Sequence, residues 1–117
     1  YYDYARLPEA LLKGDICIAP RDLTVEYNLG HAFTKIGYPM SLGLNVLAAP
    51  VPSYKGSPAV VCDSLDDWES SLSDLIINVE RRRHLARIGR EYCMNNYSLE
   101  VIGKKYLELF RKIMLSV

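Results

Sequence analysis

A long polar loop and the helix that follows it form the part of this sequence best suited to bind an anion. The loop spans residues 21–32 and follows the apolar run 16–19, which ends at Pro20. In open parallel sheets, ligands bind outside the carboxyl ends of the strands, so a loop here is a candidate site. Free backbone N–H groups at the helix start, the positive end of the helix dipole and Lys35 in the first turn together suit a diphosphate.

The side chains that this hypothesis brings to the ligand come from the loop, the helix start and a second loop. Tyr54 joins the group because it follows the second apolar strand of the sequence and its loop should open at the same edge. The competing interpretation is an ordinary crossover helix with a solvated lysine, a solvated loop histidine and a tyrosine without a ligand. The candidate binding residues on these grounds are Gly30, His31, Phe33, Thr34, Lys35 and Tyr54.

Other chemistries find little support in the residue pattern. Cys and His never approach zinc-ligand spacing, and there is no Gly-rich phosphate loop, nucleophile elbow or helical His-Glu pair. We therefore assign no catalytic residue, no metal ligand and no cofactor. Cys17, Cys62 and Cys93 are odd in number and widely spaced, which fits no disulfide framework and favours a reducing cytoplasm. The arginines of residues 81–90 suit either an anionic lipid surface or a solvated helix face.

Composition limits the class of protein further. The chain has 117 residues, half of them hydrophobic, with 14 basic and 14 acidic side chains. That balance predicts one folded domain and offers no excess of positive charge for a nucleic acid. The apolar runs are far shorter than the roughly 20 residues that cross a bilayer, so we expect a soluble protein.

Apolar periodicity predicts alternating helices and short strands up to about residue 63, and helices alone after it. Residues 1–63 should form an α/β portion and residues 64–117 a set of C-terminal helices. Ser64, Asp66 and Asp67 supply cap chemistry for the first of these helices, Asn95-Asn96 marks a break, and Ser98 caps the last. The predicted helices are 7–13, 33–42, 64–79, 80–95 and one from 98 onward, and the predicted strands are 16–19, 46–49 and 59–62.

Strands separated by helices indicate a parallel sheet, since parallel neighbours need long crossovers. The fold class is therefore α/β, a three-layer Rossmann-like parallel sheet followed by C-terminal helices, with the first strand covered on both faces. Doubly wound sheets normally have five or six strands, and only three are visible here. We therefore expect the chain to be the C-terminal half of such a domain, taken from a longer protein.

Two segments in this order resemble the donor-binding domain of GT-B glycosyltransferases of the group 1 type. Residues 15–20 (Asp-Ile-Cys-Ile-Ala-Pro) are similar to a family strand of the form "aDI.iaP", and residues 35–50 to a helix and strand of the form "sK..EyMa.GlPVvas". Later pieces also echo the family's C-terminal helices, so the similarity covers about the whole chain. The matching positions of the second motif are Lys35, Met40, Gly43 and Val46, and the later pieces include Trp68, Arg82-Arg83-His84 and Asn96-Tyr97-Ser98.

The resemblance implies a function and adds one residue to the candidate site. It implies a cytoplasmic transferase that moves a sugar from a nucleotide-sugar donor to a glycan or lipid-linked acceptor. In such an enzyme Lys35 would contact the donor, and the catalytic groups would lie in a separate N-terminal domain. Tyr38 stands where the family has a glutamate that holds the ribose hydroxyls, and the partner glutamate falls near Gly30 and is missing. Peripheral membrane contact would follow from a lipid-linked acceptor.

A non-catalytic binding module is the alternative from another functional class. It could be a flavodoxin-like or receiver-like domain, or a glycosyltransferase-derived domain whose donor site is lost. A receiver needs acidic residues at its strand ends, and of Pro20, Pro50 and Asp63 only the last is acidic. Tyr38 in place of glutamate is compatible with a degenerate donor site, so this alternative stays open. The last helix, with apolar residues on two sides, should dock on something outside this chain.

Overall fold

The computed structural model describes residues 3–117 as a mixed α/β protein with a small parallel sheet and mostly helices. The three strands lie in the order β1-β2-β3 and all pairs are parallel. In the register, Ile16 lies opposite Asn45 and Leu47 opposite Val60. The strands are β1 Ile16–Ala19, β2 Asn45–Ala48 and β3 Val60–Val61, and the helices are α1 Leu7–Leu11, α2 Glu26–Leu29, α3 Thr34–Ser41, α4 Leu65–Ile77, α5 Val79–Tyr97 and α6 Leu99–Leu115, with 3-10 turns at Tyr4–Arg6 and Pro52–Tyr54.

The central strand β2 places its residues alternately in two hydrophobic clusters. Val46 and Ala48 face a cluster with residues of α3 and α5, among them Ile36, Met40 and Cys93. Leu47 faces the other cluster, which Cys62 and Leu75 of α4 complete. Because successive strand side chains point to opposite faces, a four-residue strand buries all of its residues when both faces are covered.

The first strand is less covered than predicted. The expectation that β1 is buried on both faces is wrong at Ile18, whose side chain is 58% exposed. β1 is an outer strand of the sheet, and among residues 3–117 Ile18 belongs to neither hydrophobic cluster. Apolar character alone therefore predicted the strand but not its surroundings.

Helix boundaries show where local sequence signals succeed. Ser64 caps α4 by accepting from the Asp67 backbone N–H at 3.1 Å, and the Asp67 carboxylate accepts from the Ser64 N–H at 2.9 Å. This is the reciprocal capping box that the sequence suggests. Gly43 ends α3 at a positive φ of 86°, which glycine adopts without a Cβ penalty. Ser98 caps α6 as predicted.

Several boundaries differ from the predictions. The first helix ends at Leu11 rather than at residue 13, and the loop predicted as irregular contains α2. The predicted break at residues 95–96 is wrong because α5 continues to Tyr97, with Asn96 donating its side-chain amide to the Tyr92 carbonyl inside the helix. An asparagine bonded within its own helix does not terminate it. The third strand is also shorter than predicted.

The spacing of apolar residues in the first C-terminal helix predicts one buried face made of Trp68, Leu72, Leu75, Ile76 and Val79, and this prediction is partly correct. Leu75 is buried, and Trp68 and Leu72 pack against the same cluster, whereas Ile76 and Val79 are exposed. The prediction that every arginine of α5 faces water is wrong at Arg82. Its guanidinium donates to the carbonyls of Leu75 and Ile76 at the end of α4, which satisfies carbonyls that a helix end leaves without partners.

Candidate functional site

The loop between β1 and α3 is held in shape by its own side chains. The backbone N–H and the hydroxyl of Thr24 both donate to the Asp22 carboxylate, at 3.0 and 2.6 Å. These two hydrogen bonds lower the pKa of Asp22, because they stabilise the ionised carboxylate. The side-chain amide of Asn28 donates to the Asp22 carbonyl at 2.7 Å and closes the loop.

His31 lies at the end of this loop and is held on two sides. Its ring Nε2 is 3.2 Å from Asn28 Oδ1, and the Tyr27 ring meets it edge-on with centroids 5.6 Å apart. The hydroxyl of Ser53 donates to the His31 carbonyl. Because Ser53 belongs to the loop after β2, this bond joins the two loops that sequence analysis placed at one sheet edge.

The start of α3 is less open than predicted. The backbone N–H of Lys35 bonds to the Ala32 carbonyl at 3.4 Å, and that of Ile36 to the Phe33 carbonyl at 3.0 Å. Two backbone donors that were expected to be free for an anion are therefore used by the preceding turn. An anion here depends on side chains more than on the helix terminus.

Four candidate residues line one pocket, which we call the Lys35 pocket. It has a volume of about 730 Å³ and includes His31, Thr34, Lys35 and Tyr38. The pocket is lined by the ammonium group of Lys35 and by no carboxylate, so its charge favours an anion over a cation. Burial raises the pKa of Cys17, which keeps that thiol neutral. The remaining lining residues are Tyr4, Leu7, Leu11, Ala32 and Pro39.

The other candidates lie outside the Lys35 pocket. Gly30 lines a neighbouring depression of about 490 Å³, to which His31 also contributes. Phe33 is buried and stacks on Tyr97 with centroids 4.5 Å apart, so its ring serves the core. Tyr54 is 1% exposed and lies in the cluster that α3 and α5 form with the sheet.

Sequence analysis overlooked Arg21 and Asn28. Arg21 follows Pro20 at the carboxyl end of β1 and lines a further pocket of about 410 Å³. Among residues 3–117, its Nε and the Tyr54 hydroxyl are buried without a hydrogen-bond partner. Burial raises the pKa of Tyr54, and the nearby Arg21 charge partly offsets this. The position of Arg21 directly after a strand was a usable signal, whereas Asn28 carries no signal in the sequence beyond its type as a helix-breaking residue.

Neither a metal-binding cluster nor a membrane-spanning helix is present in the part of the chain that the structure describes. Between residues 3 and 117, no group of three or more His, Cys, Asp or Glu side chains is arranged to hold a metal ion. Over the same residues, no helix has both the length and the hydropathy needed to cross a membrane.

The fold and the pocket define a mixed α/β protein with a three-stranded parallel sheet and a largely apolar pocket that holds one lysine beside β1. No protein-family model, curated protein or solved structure matches the chain. The function therefore has to be argued from the residues and their geometry.

Proposed function

We propose that this chain is the donor-binding part of a GT-B glycosyltransferase and that the Lys35 pocket binds a nucleotide sugar. In this proposal the sheet is part of a three-layer Rossmann-like domain of a cytoplasmic enzyme. The sugar passes to a hydroxyl of a glycan or lipid-linked acceptor. The motif similarity at residues 15–20 and 35–50 motivates the proposal.

The pocket's composition is the observation that carries it. Four residues selected from sequence, His31, Thr34, Lys35 and Tyr38, line one cavity beside β1. A nucleotide sugar needs cations for its diphosphate and apolar or aromatic walls for its rings. The cavity supplies the cation through Lys35, and Tyr38 and Pro39 contribute to its walls.

Lys35 has a chemical role in this proposal. Transfer breaks the bond between the sugar and an anionic leaving diphosphate, so negative charge grows on the leaving group in the transition state. An ammonium group that contacts the leaving diphosphate stabilises that charge more in the transition state than in the ground state. The acid–base groups and the acceptor site belong to a second domain in this proposal, and the chain alone turns over no nucleotide sugar.

Two uncovered apolar surfaces support the presence of such a second domain. Ile18 is exposed on the outer strand, and α6 contains no buried residue. Eight large apolar side chains of α6 are about half or more exposed, namely Leu99, Tyr106, Leu107, Leu109, Phe110, Ile113, Met114 and Leu115. Monomeric proteins rarely leave contiguous apolar surface of this kind open.

Tyr38 favours a second candidate, a binding module derived from such an enzyme but without its activity. Tyr38 stands where the resemblance places a ribose-binding carboxylate, and a phenol cannot accept two hydrogen bonds from a diol as a carboxylate does. This candidate predicts that the pocket binds phosphates with no preference for a nucleotide.

Calorimetric titration separates the two candidates. The chain is titrated with UDP-glucose, GDP-mannose and ADP-glucose, and with pyrophosphate and free glucose as controls. The proposal predicts saturable binding of at least one nucleotide sugar, tighter than pyrophosphate. Equal affinity for all the phosphates would favour the binding module, and no nucleotide binding would overturn the donor-site assignment.

A further inference from the structure

The orientation of the Asn28 side chain determines which nitrogen of His31 carries a proton. The Asn28 amide nitrogen donates to the Asp22 carbonyl at 2.7 Å, so Oδ1 is the atom that faces His31 Nε2 at 3.2 Å. An amide oxygen only accepts hydrogen bonds, and Nε2 must therefore be the protonated nitrogen. The neutral ring then has an unprotonated Nδ1.

The free nitrogen of His31 differs in kind from the ammonium group of Lys35. In residues 3–117, Asn28 is the hydrogen-bond partner of the His31 ring through Nε2, and Nδ1 makes no hydrogen bond. A neutral Nδ1 accepts a hydrogen bond and cannot donate one, whereas an ammonium group only donates. Phosphate oxygens accept hydrogen bonds, so they suit Lys35, and a hydroxyl suits Nδ1.

We propose that Asn28 is a positioning residue that holds His31 as a hydrogen-bond acceptor, so that the Lys35 pocket selects a ligand with a hydroxyl close to its phosphate. The inference rests on the proposed function, where that hydroxyl belongs to the ribose or to the transferred sugar. The ring is prepared in advance of binding, because Tyr27 packs against it and Ser53 holds its backbone carbonyl. Such preparation lowers the entropy lost when the ligand binds.

Asn28→Asp and Asn28→Ala form a matched pair of variants. Both remove the amide donor to the Asp22 carbonyl, and Asn28→Asp also adds a negative charge, whose effect cancels in the ratio of affinities for two phosphate ligands. Only Asn28→Asp keeps an oxygen that accepts from His31 Nε2. Any property that Asn28→Ala loses and Asn28→Asp retains depends on the proton of His31 rather than on the shape of the loop.

The first measurement needs no ligand. Long-range ¹⁵N NMR at pH 8, where an ordinary histidine is neutral, distinguishes protonated from unprotonated ring nitrogens. The chain has two histidines, so His84→Gln assigns the signals of His31. We expect one tautomer with its proton on Nε2 in the wild type and in Asn28→Asp, and averaged nitrogen shifts in Asn28→Ala. A proton on Nδ1, or averaging in the wild type, would overturn the proposal.

The second measurement tests selection of the hydroxyl. Glycerol 3-phosphate carries alcohol hydroxyls beside its phosphate and inorganic phosphate carries none, so the ratio of their affinities reports the contact of such a hydroxyl. Loss of one such hydrogen bond lowers affinity by about 2- to 10-fold. Asn28→Ala should weaken the binding of glycerol 3-phosphate and of UDP-glucose by that factor and leave the affinity for inorganic phosphate unchanged. Asn28→Asp should restore the wild-type ratio of affinities.

The outcomes separate this inference from the proposed function. Equal losses for inorganic phosphate and glycerol 3-phosphate, or no restoration by Asn28→Asp, would overturn the role of Asn28. If the two variants change glycerol 3-phosphate binding as predicted but no nucleotide sugar binds, the role of Asn28 stands and the donor-site assignment is overturned.

Discussion

Gly89 of α5 packs directly against Met40 of α3. A Cβ atom on Gly89 would lie 2.7 Å from Met40 Cγ, closer than two carbons approach in folded proteins. Met40 is itself buried in the cluster between the helices and the sheet. The absence of a side chain at residue 89 therefore sets how closely α5 approaches the helix that carries Lys35.

The first prediction concerns this contact. Gly89→Ala should be less stable than Gly103→Ala by about 1 to 3 kcal/mol, the usual cost of overpacking a core. Both substitutions gain the same helix propensity, and a Cβ on Gly103 meets nothing within 4 Å. Urea unfolding of the two variants gives the difference. Equal stabilities would mean that Met40 moves aside without cost.

The second prediction concerns the buried hydroxyl of Tyr54. A buried polar group without a partner costs about 1 to 3 kcal/mol, so Tyr54→Phe should raise the free energy of unfolding by a value in that range. Tyr38→Phe is the control, because its ring lies partly in solvent and should leave stability unchanged. Thermal and urea unfolding measure both. A loss of stability in Tyr54→Phe would show that the hydroxyl has a partner in solution.

The third prediction is a pH dependence at the start of α4. Two hydrogen bonds with Ser64 lower the pKa of Asp67 from its ordinary value. The larger effect comes from the Ser64 backbone N–H and the smaller one from the Ser64 side chain. A lowered carboxyl pKa stabilises the fold above the unfolded value, and this contribution is lost as the pH falls through the folded pKa.

The difference in unfolding free energy between wild type and Asp67→Asn tests this sign. It should be present at pH 7 and shrink as the pH falls through the lowered pKa of Asp67. Asp66→Asn, which removes a charge from the same turn without those hydrogen bonds, should show a smaller change. A difference for Asp67→Asn that is constant with pH would contradict the assignment.

The fourth prediction concerns Lys35 and depends on the proposed function. A charge-assisted hydrogen bond contributes about 1.5 to 3 kcal/mol, so Lys35→Ala should weaken nucleotide-sugar binding by roughly 10- to 150-fold. Tyr38→Phe should cost less, because it removes only a hydroxyl. Calorimetry measures the affinities and circular dichroism checks the fold. Lys112→Ala on α6 is the control, and an effect as large as that of Lys35→Ala would indicate general electrostatic attraction.

The fifth prediction compares the two kinds of apolar helix surface. Leu75 is 1% exposed, so Leu75→Ala should lower the free energy of unfolding by about 2 to 5 kcal/mol. Ile113 is 51% exposed, and Ile113→Ala should change the free energy of unfolding by no more than about 0.5 kcal/mol. Urea unfolding at two protein concentrations measures both. A concentration-dependent loss in Ile113→Ala would show that a second copy covers α6.

Local signals in the sequence determined every element except α2 and the two 3-10 turns, with most ends placed within about two residues. The run of β-branched and small apolar residues at Ile16–Ala19 predicted β1 with its exact bounds. Ser64, Ser98 and Gly43 marked helix ends because a cap requires a particular side chain or a positive φ at one position. These signals depend on neighbours within a few residues, and the sequence displays those neighbours directly.

The tertiary structure decided which residues are buried and which side chains meet. Ile18 and Ile113 are as apolar as Leu47 and Leu75, yet only the second pair is covered, because coverage depends on helices distant in the chain. His31, Lys35 and Tyr38 meet in one pocket while Phe33 and Tyr54 join the core. The contact of Asn28 with His31 also needed the folded loop, since a hydrogen bond is fixed by distance and direction in space, which residue types along a sequence do not specify.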